Sequence, residues 1–168
     1  MALEHIFYTK EVLGINGRTF RIYKVRTMSV DAEEKFDEVY PRLPKNIFGK
    51  PINDPRITSV GRFLRRHWLD EIPQLWNLGK GDLKLVGVRA KTEKEWQIYP
   101  KEIMEKSLRQ KPGLMGVQYA NVNQGDFETY LESLEEYLDQ WEKDPSGTDK
   151  NYFSMIIKNI VLNGVRSS

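Results

Sequence analysis

Asp70 and Glu71 stand side by side and are followed at once by Ile72 and Pro73. Proline is tolerated best in the first turn of a helix, so this spacing predicts a helix that begins near Asp70 or Glu71 and ends before Gly79. A carboxylate at such a start lies beside unpaired backbone N–H groups and the positive end of the helix dipole, a place that also binds phosphate. Asp70 can therefore stand ionised beside a phosphate group; a simple N-cap is the alternative reading. Cations flank the pair on both sides. Arg62, Arg65 and Arg66 precede it, Lys84 and Arg89 follow it, and Lys24 and Arg26 lie on an earlier segment with strand character. Alternation along a strand sends Lys24 and Arg26 to the same side, where two cations can serve one site; a solvated strand end is the other reading.

The charge distribution agrees with that placement. Residues 55–90 carry a net +4 and residues 126–145 a net −7, although the 168-residue chain sums to only +2. An anionic ligand is expected at the basic stretch, and the acidic stretch is expected to be a solvated helix face. With no cysteine there is no disulfide framework, thiolate metal site or cysteine nucleophile. His5 and His67 are far apart in sequence and are expected to be structural or surface residues. The chain lacks a Gly-x-x-x-x-Gly-Lys-Ser/Thr phosphate loop, a Gly-x-Gly-x-x-Gly fingerprint, a His-Glu-x-x-His metal helix and a Gly-x-Ser-x-Gly elbow. It also has no apolar run of the roughly 18 residues that a spanning helix needs and no signal peptide. The most apolar segment, residues 152–165, is broken by Lys158, Asn159 and Asn163 and is expected to be a buried or interfacial helix.

The elements that must position these residues are readable from periodicity. Residues 6–13 and 18–28 are rich in aromatic and branched side chains and are separated by Gly14-Ile15-Asn16-Gly17, which predicts an antiparallel hairpin. Helical character is expected over residues 32–40, then a proline-punctuated loop to Arg56. Thr58 or Ser59 is placed to cap a helix whose apolar stripe would be Val60, Phe63, Leu64 and Trp68, leaving Arg62, Arg65 and Arg66 elsewhere on its circumference. Residues 84–89 read as a short strand with Gly87 permitting close backbone approach. Pro100 opens a helix to about Gln110, and Phe127, Tyr130, Leu131, Leu134, Tyr137, Leu138 and Trp141 mark the core face of a long one. A last helix is expected over about 149–162, ending at Gly164. The expected fold is α+β, helix-dominated, a single domain over residues 1–168 with a small N-terminal antiparallel hairpin.

Five stretches, in order, resemble the bacterial sugar transferases, the monotopic polyprenyl-phosphate phosphoglycosyl transferases that begin assembly of surface polysaccharides. They are FRIYKVRTM at 20–28, DPRITSVGRFLRR at 54–66, LDEIPQLWN at 69–77, GDLKLVGVR at 81–89 and KPGLMG at 111–116. The resemblance implies transfer of a sugar-1-phosphate from a UDP-sugar to a polyprenyl phosphate through an aspartyl-phosphosugar intermediate. Asp70 would be the nucleophile, with Glu71 the partner catalytic carboxylate and the ligand of Mg²⁺. It further implies Lys24, Arg26, Arg65, Arg89 and Gln118 as substrate-binding residues. A place at the cytoplasmic face of the bacterial inner membrane follows, peripheral or through an N-terminal anchor preceding the stretch that this chain covers. No nucleic-acid partner is implied, and a homo-oligomer is left open.

The chain departs from the family pattern at defined positions. Val-Gly-Pro-Arg-Pro becomes Val86-Gly87-Val88-Arg89-Ala90, and Gln118 is followed by Tyr119-Ala120-Asn121 where the family has Gln-Val-x-Gly-Arg. His67 and Trp68 replace small hydroxyl residues. Two other function classes stand beside the transferase: a catalytically silent relative that binds nucleotide sugar or a partner transferase, favoured by the altered loop and opposed by Asp70-Glu71, and an unrelated basic binding module. The last would need aromatics interleaved with the arginines on an exposed face, whereas Phe63 and Trp68 are expected on the apolar stripe.

Overall fold

A computed structural model describes residues 6–32, 34, 35, 39, 44, 51–121 and 126–165. The fold is α+β and helix-dominated, with the N-terminal antiparallel hairpin in place. Strands β1 (Phe7–Leu13) and β2 (Thr19–Val25) pair across a turn in which Asn16 and Gly17 take φ of 56° and 72°. Both residues tolerate that left-handed conformation, which is why Asn-Gly closes the hairpin. Most of the helix expected over residues 32–40, most of the loop after it and His5 lie outside the described residues. The chain divides into two compact units, one comprising Met1–Tyr8, Lys24–Ile72 and Arg166–Ser168, the other Thr9–Tyr23 and Pro73–Val165.

In the first unit, helix α1 (Ser59–Arg66) is capped by Thr58, whose hydroxyl accepts from the Gly61 amide at 2.9 Å. The apolar stripe expected on this helix is displaced by one residue. Val60 and Phe63 are 68% and 58% exposed, and the inward face is Gly61, Leu64 and Arg65. Gly61 is the cause: a Cβ there would stand 2.0 Å from the Thr27 carbonyl oxygen. A glycine lets the helix backbone close directly on the strand backbone, and such contact needs no large apolar side chain. Trp68 follows the helix at φ 55°, the left-handed position that glycine usually fills after a helix end, and turns the chain towards Asp70.

The helix predicted from Asp70 or Glu71 is also corrected. Leu69–Gln74 is a 3-10 segment containing Pro73, and the α-helix proper, α2 (Leu75–Lys80), follows it. Gly79 lies inside α2, and Gly81 at φ 77° ends it. Proline offers no N–H, so Pro73 cannot supply the i to i−4 bond that an α-helix through Asp70 would need from it.

The second unit contains α2, β3 (Lys84–Gly87), α3 (Glu93–Trp96), α4 (Lys101–Leu108), β4 (Gly113–Gly116), α5 (Phe127–Lys143) and α6 (Pro145–Leu162). Strand β3 was expected; its parallel partner β4 was not. Gly113 and Gly87 make that pairing close, since a Cβ on Gly113 would lie 2.1 Å from the Gly87 amide nitrogen. The expected face of α5 is largely core, with Tyr130, Leu134, Tyr137 and Leu138 buried. Asp126 and Asp144 cap α5 and α6, accepting from the amides of Thr129 at 2.9 Å and Gly147 at 3.0 Å. Helix α6 thus starts at Pro145, earlier than expected, because Gly147 sits within the capping turn. One face of α6 is buried through Tyr152, Ile156 and Asn159, while Phe153, Ile157, Val161 and Leu162 are exposed.

Candidate active site

Four of the residues singled out in the sequence meet within the first unit. Asp70 and Glu71 are buried, at 5% and 6% exposure. The Lys24 ammonium, on the last turn of β2, donates to Glu71 Oε1 at 2.9 Å. Arg65 projects from the inward face of α1, where its Nε donates to the Thr27 hydroxyl at 2.9 Å. Burial pulls the Arg65 guanidinium below its ordinary value, opposed by the negative field of Asp70 and Asp54. Burial in turn pushes the Asp70 carboxyl above the usual carboxylate range; the Lys24 charge opposes that shift, Glu71 reinforces it and Arg65 again opposes it.

Asp70 Oδ1 is buried with no hydrogen-bond partner among the described residues. A buried oxygen left unpaired costs roughly 1–3 kcal/mol, and Asp70 shares this state with buried atoms of other residues, among them Gln74 Nε2 and Asn77 Oδ1; what sets it apart is the second carboxylate and the two cations around it. Asp70 lies in the first turn of a six-residue 3-10 segment, so the dipole of a long helix does not reach it; its positive surroundings are the side chains of Lys24 and Arg65.

Arg26 lies one residue beyond β2, half-buried, with its amide donating to the Ile6 carbonyl at 2.7 Å. Arg89 and Gln118 gather in the second unit around Gly116. A Cβ on Gly116 would stand 2.2 Å from Gln118 Oε1 and 2.5 Å from Arg89 Cγ, so both side chains pack over the bare backbone. Arg89 Nη1 donates to the Tyr119 hydroxyl at 3.2 Å. His67 is exposed beside the Phe63 ring, 4.7 Å between centroids, in keeping with a surface role.

Several contributors escaped the sequence reading. Continued strand alternation would put Thr27 on the face opposite Lys24, but β2 ends at Val25 and the alternation lapses. Asp54 and Arg56 form a buried pair through Nη2 at 2.6 Å and Nε at 2.9 Å, which holds the Asp54 carboxyl below its usual range. The Asp-Pro-Arg spacing is the only signal for it.

The bacterial sugar transferase family model matches residues 2–154. The chain belongs to that family. It is 37% identical over 137 residues to the galactosyl transferase CpsE of Streptococcus agalactiae, covering 80% of this chain and 30% of the relative. It is 36% identical over 140 residues to the UDP-galactose-lipid carrier transferase of Erwinia amylovora, covering 80% and 28%. It is 37% identical over 141 residues to the undecaprenyl-phosphate galactose phosphotransferase of Salmonella typhimurium, again 80% and 28%. The chain therefore spans less than a third of these family members. Among its described residues no helix is long and apolar enough to cross a membrane.

Proposed function

We propose that this chain carries the phosphoglycosyl transferase chemistry of its family, moving a sugar-1-phosphate from a UDP-sugar to a polyprenyl phosphate at the cytoplasmic face of the bacterial inner membrane. The observation that carries this reading is Asp70: a buried carboxylate with an unpartnered oxygen, flanked by a second carboxylate and under the opposing fields of Lys24 and Arg65. In the first step an Asp70 carboxylate oxygen bonds to the β-phosphorus while the bond from that phosphorus to the bridging oxygen breaks, and UMP leaves with the electron pair. In the second, a phosphate oxygen of the polyprenyl phosphate bonds to the same phosphorus and Asp70 departs as the carboxylate. The names of the relatives, with UDP-galactose and a lipid carrier in one and undecaprenyl phosphate in another, support this donor and acceptor class.

Burial works against the ionised form of Asp70, and Lys24 is the strongest group restoring it. In the first unit Arg65, with Lys24 and Arg26, would bind phosphate oxygens, and in the second unit Arg89, with Gln118, would do the same, each arginine through the planar donor fork that suits such oxygens. Among the described residues no cluster of three or more metal-ligating side chains exists, but Mg²⁺ in such sites is held by one or two carboxylates together with substrate phosphates. Glu71, a buried carboxylate beside the attacking Asp70, suits that donor set and would hold the ion, which when bound would neutralise charge on the diphosphate.

The reading is tested by supplying Mg²⁺, undecaprenyl phosphate and a panel of UDP-sugars. UMP release that disappears in Asp70→Asn is the expected result, and undiminished release by Asp70→Asn removes Asp70 as nucleophile. The altered loop at Val88 and Ala90, which favoured a silent relative, is fastened by other means. Val88 is 2% exposed and its carbonyl accepts from the Gly113 amide at 2.8 Å.

A further inference from the structure

We propose that Tyr119 is a positioning residue that sets the orientation of Arg89 and so tunes affinity for the diphosphate of the nucleotide sugar. The inference rests on the reading of Arg89 as a phosphate-binding group. It starts from a hydrogen-bonded chain inside the second unit. Asn159, buried on α6, donates through Nδ2 to the carbonyls of Tyr119 at 3.1 Å and Ala120 at 2.5 Å. Its own Oδ1 accepts from Asn163 Nδ2 at 3.0 Å, which fixes the amide orientation. The segment so held, Val117–Ala120, is a 3-10 turn directly after β4, and from it the Tyr119 hydroxyl accepts from Arg89 Nη1 at 3.2 Å.

The chemistry favours a positioning role. A guanidinium recognises phosphate through a rigid plane of donors, so the plane must be set before the ligand arrives if ordering entropy is not to be lost on binding. In the family pattern two prolines flank this arginine and stiffen its loop; here Val88 and Ala90 stand in their place. The tyrosine hydroxyl restrains the Arg89 guanidinium through a side-chain hydrogen bond. Gly116 permits it, because any side chain there would collide with Arg89 Cγ and Gln118 Oε1. Tyr119 itself is buried, so its ring is fixed by packing.

The test uses the full chain and two readouts. In calorimetry with UDP and Mg²⁺, Tyr119→Phe is expected to bind UDP about tenfold more weakly than wild type, as loss of a hydrogen bond to a charged group predicts. In UMP release the KM for the UDP-sugar should rise by about the same factor while kcat changes by less than about twofold, since the chemical step at Asp70 is untouched. A double-mutant cycle separates positioning from packing: in an Arg89→Lys background, which lacks the Nη1 donor, Tyr119→Phe should cause no further loss of UDP affinity. Equal affinity of Tyr119→Phe and wild type, or a loss that persists undiminished beside Arg89→Lys, overturns the inference while leaving the transferase reading intact. A chain that binds UDP but releases no UMP sinks the transferase reading, and the calorimetric cycle still decides on Tyr119. A wild-type chain that binds no UDP overturns both.

Discussion

The Lys24 ammonium sits 2.9 Å from Glu71 Oε1, joining the end of strand β2 to the buried carboxylate next to Asp70. Lys24 is also the strongest influence favouring the ionised form of Asp70. Replacing it with methionine should therefore do two things. Leaving the buried Glu71 carboxylate without its cation should cost about 2 kcal/mol of stability, below the range for fully buried pairs because the Lys24 side chain is a quarter exposed. The acid limb of the pH profile for UMP release should also move to higher pH, because Asp70 becomes harder to ionise. A profile in Lys24→Met that overlays the wild type would show that the ammonium does not act on Asp70.

Asp70 itself should trade stability for function. Its folded pKa is raised, mainly by burial, so the fold favours the protonated carboxyl. The sign follows directly: that contribution is fully present below the ordinary aspartate pKa near 4 and is lost as pH rises through the higher folded value. At pH 7 the ionised group opposes folding, each unit of raised pKa being worth about 1.4 kcal/mol. Asp70→Asn should thus raise the melting temperature at pH 7, with the gain shrinking towards pH 4, while abolishing UMP release. Thermal melts of the two proteins across that range check it, and a lower melting temperature for the variant at pH 7 would contradict the argument.

Thr27 and Gly61 offer a separable test of how Arg65 is placed. The Thr27 carbonyl accepts from the Thr58 amide at 3.0 Å and fastens the start of α1, while its hydroxyl accepts from Arg65 Nε. Thr27→Val keeps the backbone contact and removes only the hydroxyl. It should lower stability by about 1 kcal/mol and slow UMP release by about tenfold. Gly61→Ala should act on the fold instead, since its Cβ meets backbone at 2.0 Å, and is expected to cost about 2–3 kcal/mol in denaturant melts.

The sequence was informative where local rules decide. The Asn-Gly turn, the Thr58 cap and the α5 core face follow from positive φ, side-chain capping and helical period, all of which act within a few residues. Of the cations flanking the acidic pair in sequence, Lys24 and Arg65 do meet it, while Lys84 pairs with Asp149 and Tyr137 instead. Legibility ended where contacts are long-range and carried by backbone. The rotation of α1 that turns Arg65 inward depends on Gly61 meeting Thr27, a contact 34 residues apart that no periodicity encodes. Strand β4 is only four residues long and begins and ends in glycine, so no periodicity marks it, whereas Gly113 is what allows the close pairing with β3. Tyr119 and Asn159 escaped because a tyrosine and an asparagine carry no signal until a fold brings them together.

The buried network below β3 gives the last prediction, on stability alone. Lys84 Nζ lies 2.8 Å from Asp149 Oδ2 on α6 and 3.0 Å from the Tyr137 hydroxyl on α5, and it stands 4.7 Å from the centre of the Trp141 ring. Tyr137 in turn donates to Asp149 Oδ1 at 2.9 Å. One ammonium thereby ties a strand to both long helices. Burial draws the Lys84 pKa below its ordinary value and Asp149 opposes the shift, so the carboxylate is what keeps the charge tolerable there. Asp149→Ala removes that partner and should cost about 2 kcal/mol in a denaturant melt, below the range for fully buried pairs because both side chains are only partly buried. Adding Lys84→Met should recover much of the loss, because an apolar stem of similar length can fill the same space. A double variant no more stable than Asp149→Ala would mean that the network acts through packing and not through the charge pair.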